Sequence, residues 1–342
     1  MAGIVDYSQV ATATWAYVRP QMAHAAFTKT TACNWLRKRG AIQIKGGEQA
    51  EFITELGGPA IHGHVERGEQ LSLESQQILD KSRYPWREHA VLLRVEHRDL
   101  AANAGPYQQA NLLEAIRKNG MKQAGDDLEK SLFGVAEDDT LVGTSIKYPI
   151  NAYDVAAENA SNVGGISVTT WPRWKPGHVT DKAAVRPSEL DLTSMLVDLT
   201  SEEGGMPQVT FTDSSAYKDL YRIVAVRRRQ NNALMADLGY KGFTWEGVDF
   251  LHVPHRGADG LSTMARGLGV DTDGAPSKGF VYLTIDPKHF FIVPHASRFM
   301  MPSEKIPVAG LLADVYHIET QYTFGTDHRA VQGVVYADAD AR

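Results

Sequence analysis

In this 342-residue sequence, the types and spacing nearest to a metal site belong to His62-Gly63-His64-Val65-Glu66. On a strand, alternate side chains share a face. His62, His64 and Glu66 would then converge on one cation, and imidazole with carboxylate suits zinc. The simpler reading is a polar strand in an exposed loop. His252-Val253-Pro254-His255 lacks the spacing of a helical ligand pair and reads as a strand end. Asp271-Thr272-Asp273-Gly274 opens like a calcium loop, but Pro276 stands where that loop needs Gly. Between Gly274 and Gly279, Lys278 precedes the second Gly and no Ser or Thr follows it, so the phosphate-loop pattern fails. Neither a Gly-x-Ser-x-Gly elbow nor a His-Glu-x-x-His pair occurs. Arg227-Arg228-Arg229 is the candidate DNA-facing cluster, through phosphate contacts without sequence preference. Its structural alternative is to complement a helix end or an acidic neighbour. The pairs Tyr217/Tyr221 and Trp171/Trp174 read as packing residues. The expectation is a protein with no catalytic residue, no cofactor and no resident metal.

Composition points the same way. Hydrophobic residues make up 43% and charged residues 22%, close to globular averages. The net charge is -6, whereas a dedicated nucleic-acid binder is usually basic. The single cysteine, Cys33, can form neither an intrachain disulfide nor a cysteine zinc site, which fits a reducing compartment. No apolar stretch approaches the ~18 residues of a membrane span, and no basic leader with an apolar core stands at residues 1–21.

The elements that must position any site follow from periodicity and stop signals. Residues 1–22 read as an extended arm. Arg37-Lys38-Arg39-Gly40 reads as the basic end of a short helix with Gly just past it. Ile42 and Ile44, a turn at Gly46-Gly47, and Phe52, Thr54 and Leu56 read as a hairpin. Residues 57–88 are polar and too long for an ordinary connection, so an ordering partner outside the subunit is expected. Ala90 to Val95 reads as a short buried strand. Asn103-Ala104-Gly105-Pro106 then starts a helix that runs to about Phe133 and ends at Gly134. At ~1.5 Å per residue it is roughly 40 Å long, a spine more than a core element. Leu192, Met195, Leu196 and Leu199 form one apolar stripe after Pro187, with Glu189 and Asp191 in the first turn and Gly204-Gly205 at the end. A strand from Gln208 to Phe211 leads to a helix opened by Thr212 and Asp213, with Tyr217, Leu220, Tyr221 and Val224 along its stripe. Further strands are expected at Val248 to Val253, Phe280 to Ile285, Phe290 to Val293, Asp314 to Phe324 and Val331 to Tyr336. The uneven mixture gives an α+β class.

Several segments resemble the major capsid proteins of tailed bacteriophages, with their Hong-Kong-97-type fold. Arg83-Tyr84-Pro85-Trp86 before Val91-Leu92-Leu93-Arg94-Val95-Glu96 resembles the return strand of that family's extended loop, with Asn103-Ala104-Gly105 at the start of the spine helix. Gly164-Gly165-Ile166 with Trp171 and Trp174 resembles the link from peripheral to axial domain. Phe211-Thr212-Asp213-Ser214 before Tyr217 and Tyr221 resembles the axial strand-to-helix step. Gly247-Val248-Asp249 and Phe280-Val281-Tyr282-Leu283 resemble later axial strands, and Val331-Gln332-Gly333-Val334-Val335 the last peripheral strand. No single match is a sharp signature; the order and spacing carry the likeness over most of the chain.

The resemblance implies an arm and short helix over 1–40, a peripheral hairpin over 41–56 and an extended loop over 57–90. A peripheral domain over 91–185 would contain the spine helix 105–133. An axial domain would span 186–308, with a return to the peripheral domain over 309–342. Candidate contacts between subunits in the extended loop are His62, His64, Glu66, Arg67, Lys81, Arg83, Tyr84 and Trp86; candidate hinges are Gly57, Gly58, Gly164 and Gly165. The implied function is self-assembly into hexamers and pentamers, an icosahedral head shell around double-stranded DNA. Assembly would take place in the host bacterial cytoplasm and the protein would reside in the virion. Implied partners are further copies of the chain, a separate scaffolding protein, a portal, a decoration protein and packaged DNA held without sequence preference, with no membrane. Lysine–asparagine crosslinking is not carried over. The alternatives are an encapsulin-like shell of a bacterial compartment and, far behind it, a metal enzyme built on the histidines.

Overall fold

The computed structural model describes residues 30–57, 78–98, 106–133, 156, 162–182, 185–201, 205, 207–225, 242–253, 278–302, 306–307 and 313–338. The arm, His62, His64, Glu66, Arg67, Gly58, Asn103 to Gly105, Gly134, Arg227 to Arg229, His255 and the segment from Asp271 to Gly274 lie outside these residues.

The first helix, α1 (Thr31–Lys38), ends where its charge and glycine say it should. Gly40 takes φ +80, and its N–H donates to Arg37 O while that of Ala41 donates to Leu36 O. Both orphan carbonyls of a Schellman end are thereby satisfied, and buried Ala41 and Leu36 supply its apolar contact. The other end of α1 is capped from far away. No side chain at Thr30 caps it; Glu129 of the long helix α2 (Pro106–Leu132) accepts from Ala32 N–H at 3.0 Å. A carboxylate there also suits the positive end of the helix. The 27 residues of α2 give it a length of roughly 40 Å.

The hairpin expected to close at Gly46-Gly47 does not form. Ile42 and Lys45 instead make isolated parallel bridges to Ile292 and His295. Strand β1 (Gln49–Glu55) pairs antiparallel with β2 (Leu79–Pro85), from Gln49↔Pro85 to Glu55↔Leu79. So the hairpin spans the long polar segment, and residues 79–85 and 87–88 belong to strands and not to the loop. Next, β3 (Arg87–Glu96) covers the expected buried run, but it alternates: Leu93 and Val95 are buried while Leu92 is exposed. One face of β3 packs on α2 and the other stays open.

The remaining strands form two main sheets. In one, the 14-residue β14 (Ala313–Thr326) is the central strand. It pairs with β3 along one edge, and with β11 (Phe290–Pro294), β12 (Met301–Pro302) and β13 (Ile306–Pro307) along the other. The second sheet has the order β6-β15-β10-β7-β9-β8, from β6 (His178–Asp181), β7 (Val209–Thr212), β8 (Gly242–Trp245), β9 (Val248–His252), β10 (Lys278–Ile285) and β15 (Gly333–Asp338). Helices α3 (Glu189–Ser201) and α4 (Ser214–Ala225) pack on one face of this sheet. Two short strands, β4 (Asn162–Val163) and β5 (Ile166–Ser167), and a 3-10 turn (Pro172–Trp174) join the parts.

Alternation places the core. In β10, Phe280 and Tyr282 point to α3 and α4, while Val281, Leu283 and Ile285 join the core containing α1 and α2. The same two-faced burial decides the place of β15. Val334 faces the α1/α2 core, and Val335 and Ala337 face α3 and α4. The last strand therefore lies inside the six-stranded sheet, between β6 and β10, and does not return to the sheet of β3 and β14 as the resemblance implied. Conversely, β11 and β12 fall within the range expected to be axial, yet pair with β14.

Asp213 is the N-cap that the sequence predicts. Its Oδ2 accepts from Ser215 N–H at 2.9 Å and its Oδ1 from Ala216 N–H at 3.0 Å. It also accepts from Val281 N–H at 3.1 Å, tying α4 to β10. Asp213→Ala removes the cap and strands a buried donor on β10, so a loss of about 2–4 kcal/mol in urea unfolding is expected.

Candidate assembly surface

The β1/β2 ribbon has two unlike faces because side chains alternate. Ala50, Phe52 and Thr54 of β1, with Ser82 and Tyr84 of β2, turn inward. Phe52 stacks on Phe291 at 5.1 Å and meets Tyr84 edge-on at 5.8 Å. Tyr84 Oη donates to Thr326 O at 2.8 Å, and Ser82 Oγ to the same oxygen at 3.1 Å. Burial holds the Tyr84 phenol at about 12, so it stays a donor. Tyr84 is thus an anchor of the ribbon to its own subunit, not a contact to a neighbour as expected. The backbone of Gly164 adds to that anchor: its carbonyl accepts from Arg83 N–H at 2.8 Å. With φ +63 and Ser82 and Tyr84 within 3.0 Å of where a Cβ would sit, Gly164 is a packed turn and not an open hinge. Gly165 takes φ +78, and a Cβ there would meet nothing within 4 Å.

The outward face carries Glu51, Ile53, Lys81 and Arg83. Glu51 pairs with Lys81 at 3.0 Å and with Arg83 at 3.5 Å. The hydrogen bond from Lys81 leads the effects that hold the Glu51 carboxyl below the usual range. Nearer the long segment the face becomes apolar: Ile53 is 70% exposed and Leu79 57%. They are diagonal neighbours in the ladder, since Ile53 lies opposite Lys81 and Leu79 opposite Glu55. Nothing among the described residues explains apolar side chains at these positions. At the other end, Trp86 is half-buried, donates Nε1–H to Gly47 O at 2.9 Å and meets the His295 ring edge-on. Lys45 lies over the Phe52 ring and donates to Glu51 O, and burial lowers its pKa. With Arg83 and the Gly46-Gly47 turn it lines an open, polar cleft.

The turn that accepts Ser82 and Tyr84 is itself clasped. His289 Nδ1 lies 2.9 Å from Asp327 Oδ1, and Thr326 Oγ1 donates to His328 O at 3.1 Å. The Asp327 carboxylate raises the pKa of His289 above its ordinary value. A raised histidine pKa stabilises the fold in full below pH 6.5, and that contribution disappears as pH rises through the raised value. The ribbon base should therefore melt lower at pH 8.5 than at pH 6, and Asp327→Asn should shrink the difference. Thermal unfolding at the two pH values checks this.

Of the expected contact residues, the structure places Lys81, Arg83 and Trp86 at the ribbon and buries Tyr84. Gly57 stands at the ribbon's far end, beside Leu56, whose N–H donates to Ile78 O at 2.9 Å. Sequence reasoning missed Ile53 and Leu79. The alternation that turns Phe52 and Thr54 inward necessarily turns Ile53 outward, so the signal was present.

No protein-family model matches the sequence, and no curated protein matches it. Solved structures do match. The capsid asymmetric unit of Cyanophage A-1(L) is similar at TM-score 0.55 and 10% identity, over 88% of this chain and 90% of that one. A structure of Mycobacterium phage Bobi is similar at TM-score 0.51 and 11% identity, over 89% of each chain. The capsid of a native GTA particle is similar at TM-score 0.51 and 12% identity, over 89% and 90%. At these identities the likeness is one of fold.

Proposed function

We propose that this chain, which has the α+β Hong-Kong-97-type capsid fold, is a major capsid protein that assembles with copies of itself into the head shell of a tailed bacteriophage. The observation that carries the reading is the β1/β2 ribbon. Its inner face is locked onto its own subunit by Phe52, Ser82 and Tyr84, while its outer face presents Ile53 and Leu79 beside an ionic ladder. That is the construction of an arm that reaches for a neighbour. A partner that covers Ile53 and Leu79 removes apolar surface from water and shields the free edges of the ribbon.

In this reading the β3/β11/β14 sheet with α2 is the peripheral part, and the six-stranded sheet with α3 and α4 is the axial part. Axial parts gather into rings of five and six through head-to-tail contacts. The chain is a structural protein of the virion and not an enzyme. It is assembled in the host cytoplasm with a scaffolding protein, a portal and a decoration protein, around double-stranded DNA.

Ile53→Glu with Leu79→Lys tests the surface. Each new charge lies opposite a residue of the other sign, Lys81 and Glu55, so subunit stability should stay within about 0.5 kcal/mol. Closed shells should be absent by electron microscopy. Shells of normal form from this variant contradict the assignment of the ribbon. The contents of wild-type shells separate the phage reading, with DNA inside, from the encapsulin reading, with protein inside.

A further inference from the structure

We infer that α3 of one copy docks against α4 of the next copy, an acidic and apolar helix face meeting a basic and aromatic one. The inference rests on the shell-protein reading and names the axial contact within it.

The two helices lie on one face of the six-stranded sheet, over opposite halves: α3 over β6 and β15, and α4 over β10, β7 and β9. Their inner stripes are used up in the core. Leu192, Met195, Leu196 and Leu199 of α3 and Ala216 and Leu220 of α4 are buried together. The outer face of α3 has no such apolar partner among the described residues. Leu190 is 73% exposed and Val197 58%, and they stand seven residues apart on one side of the helix. Beside Val197 lies Asp198, half-exposed and in the last helical turn, where a carboxylate opposes the helix dipole. Helix stability therefore does not account for an acid at that position. It accepts from His178 at 2.7 Å.

The outer face of α4 has the opposite character. Lys218 and Arg222, one turn apart, join Arg186 around a cleft floored by Phe280, with Asp219 as the one acid among three cations. Arg186 and Arg222 lie 3.3 and 3.7 Å from Asp219, so among the described lining residues the cations outnumber the acid. Exposed Tyr221 stands beside it. Acid with aliphatic surface on one helix and base with aromatic surface on the other are complementary to each other and not to themselves. Either helix set against its own copy would bring like charges together; the head-to-tail contact that a ring requires satisfies both faces and repeats around it.

A charge-exchange cycle tests this, read as the protein concentration needed for rings or shells to appear in light scattering. Asp198→Lys and Arg222→Glu should each raise that concentration about tenfold, and the two together should bring it back to within about threefold of wild type. Circular dichroism checks that each variant is folded. Because Asp198→Lys also removes the His178 contact, Val197→Cys with Tyr221→Cys provides an independent reading. Under oxidation the wild-type fold carrying both should give a ladder of covalent oligomers ending at five or six subunits. A double charge variant no better than the worse single one, with no ladder, overturns the inference while wild-type shells leave the shell reading intact. If Arg222→Glu assembles like wild type but loses affinity for short duplex DNA, the cleft holds a polyanion and the inference is again overturned. A wild-type chain that never assembles overturns both.

Discussion

Gly177→Ala should prevent the chain from folding, or cost at least about 4 kcal/mol, the largest effect expected of a methyl group added at any described glycine. Gly177 precedes β6, at the point where the connecting segment enters the six-stranded sheet. A Cβ there would lie 1.9 Å from the carbonyl oxygen of Ala330 and 2.8 Å from a methyl of Leu199. Neither can retreat. The carbonyl is backbone in the turn before β15, and Arg329, fully buried in that turn, reaches Trp174 O at 3.3 Å. Leu199 is part of the α3 core stripe. The N–H of Gly177 meanwhile donates to Gln332 O at 3.0 Å, so the two backbones are pinned at this distance. Relief would require parting β6 from β15 and α3 from both. Gly46→Ala is the control: its nearest neighbour is Ala296 at 4.0 Å, and unfolding should be unchanged within about 0.5 kcal/mol. Expression and urea unfolding of the pair read the difference.

Removing residues 60–76 and joining the ends with a short Gly-Ser link should leave a folded subunit that closes no shells. The ends of this segment are already together, because Leu56 N–H donates to Ile78 O at 2.9 Å. Shortening a connection between adjacent ends changes stability by about 1 kcal/mol or less. The limit at 76 matters. A deletion running on to residue 85 would take β2 with it, remove the Tyr84 and Ser82 bonds to Thr326 O, and bare Phe52. Such a variant would fail for reasons of folding alone. Wild-type stability together with lost assembly would locate the function of this segment outside its own subunit. Normal shells would show that the segment is dispensable.

What the sequence made legible was local. Basic residues before Gly40 gave the end of α1, Asp213 the start of α4, and the stripe of Leu192, Met195, Leu196 and Leu199 the buried side of α3. Each signal lies within a turn or two of the element it specifies. The pairing of strands is not local, and there the reading went astray. Gly46-Gly47 is a good turn, but Ile42 and Lys45 bridge to Ile292 and His295, about 250 residues onward, and β1 waits for β2. Likewise, the alternation in β15 reveals two buried faces and not which sheet receives them. Tyr84 looked like a contact residue because it stands in a polar stretch; only the position of Thr326 makes it an anchor. The exposed Leu190 and Val197 were legible as positions off the buried stripe, yet an aliphatic side chain on that side acquires meaning only when a second copy is considered.

Assembly of the purified chain tests the central claim most directly, with light-scattering mass and negative-stain microscopy on one sample, alone and with the proposed scaffolding protein. The account predicts closed shells, or rings of five and six subunits, from the wild-type chain. A folded monomer that stays monomeric at high concentration, with crowding agent and scaffold present, would contradict it.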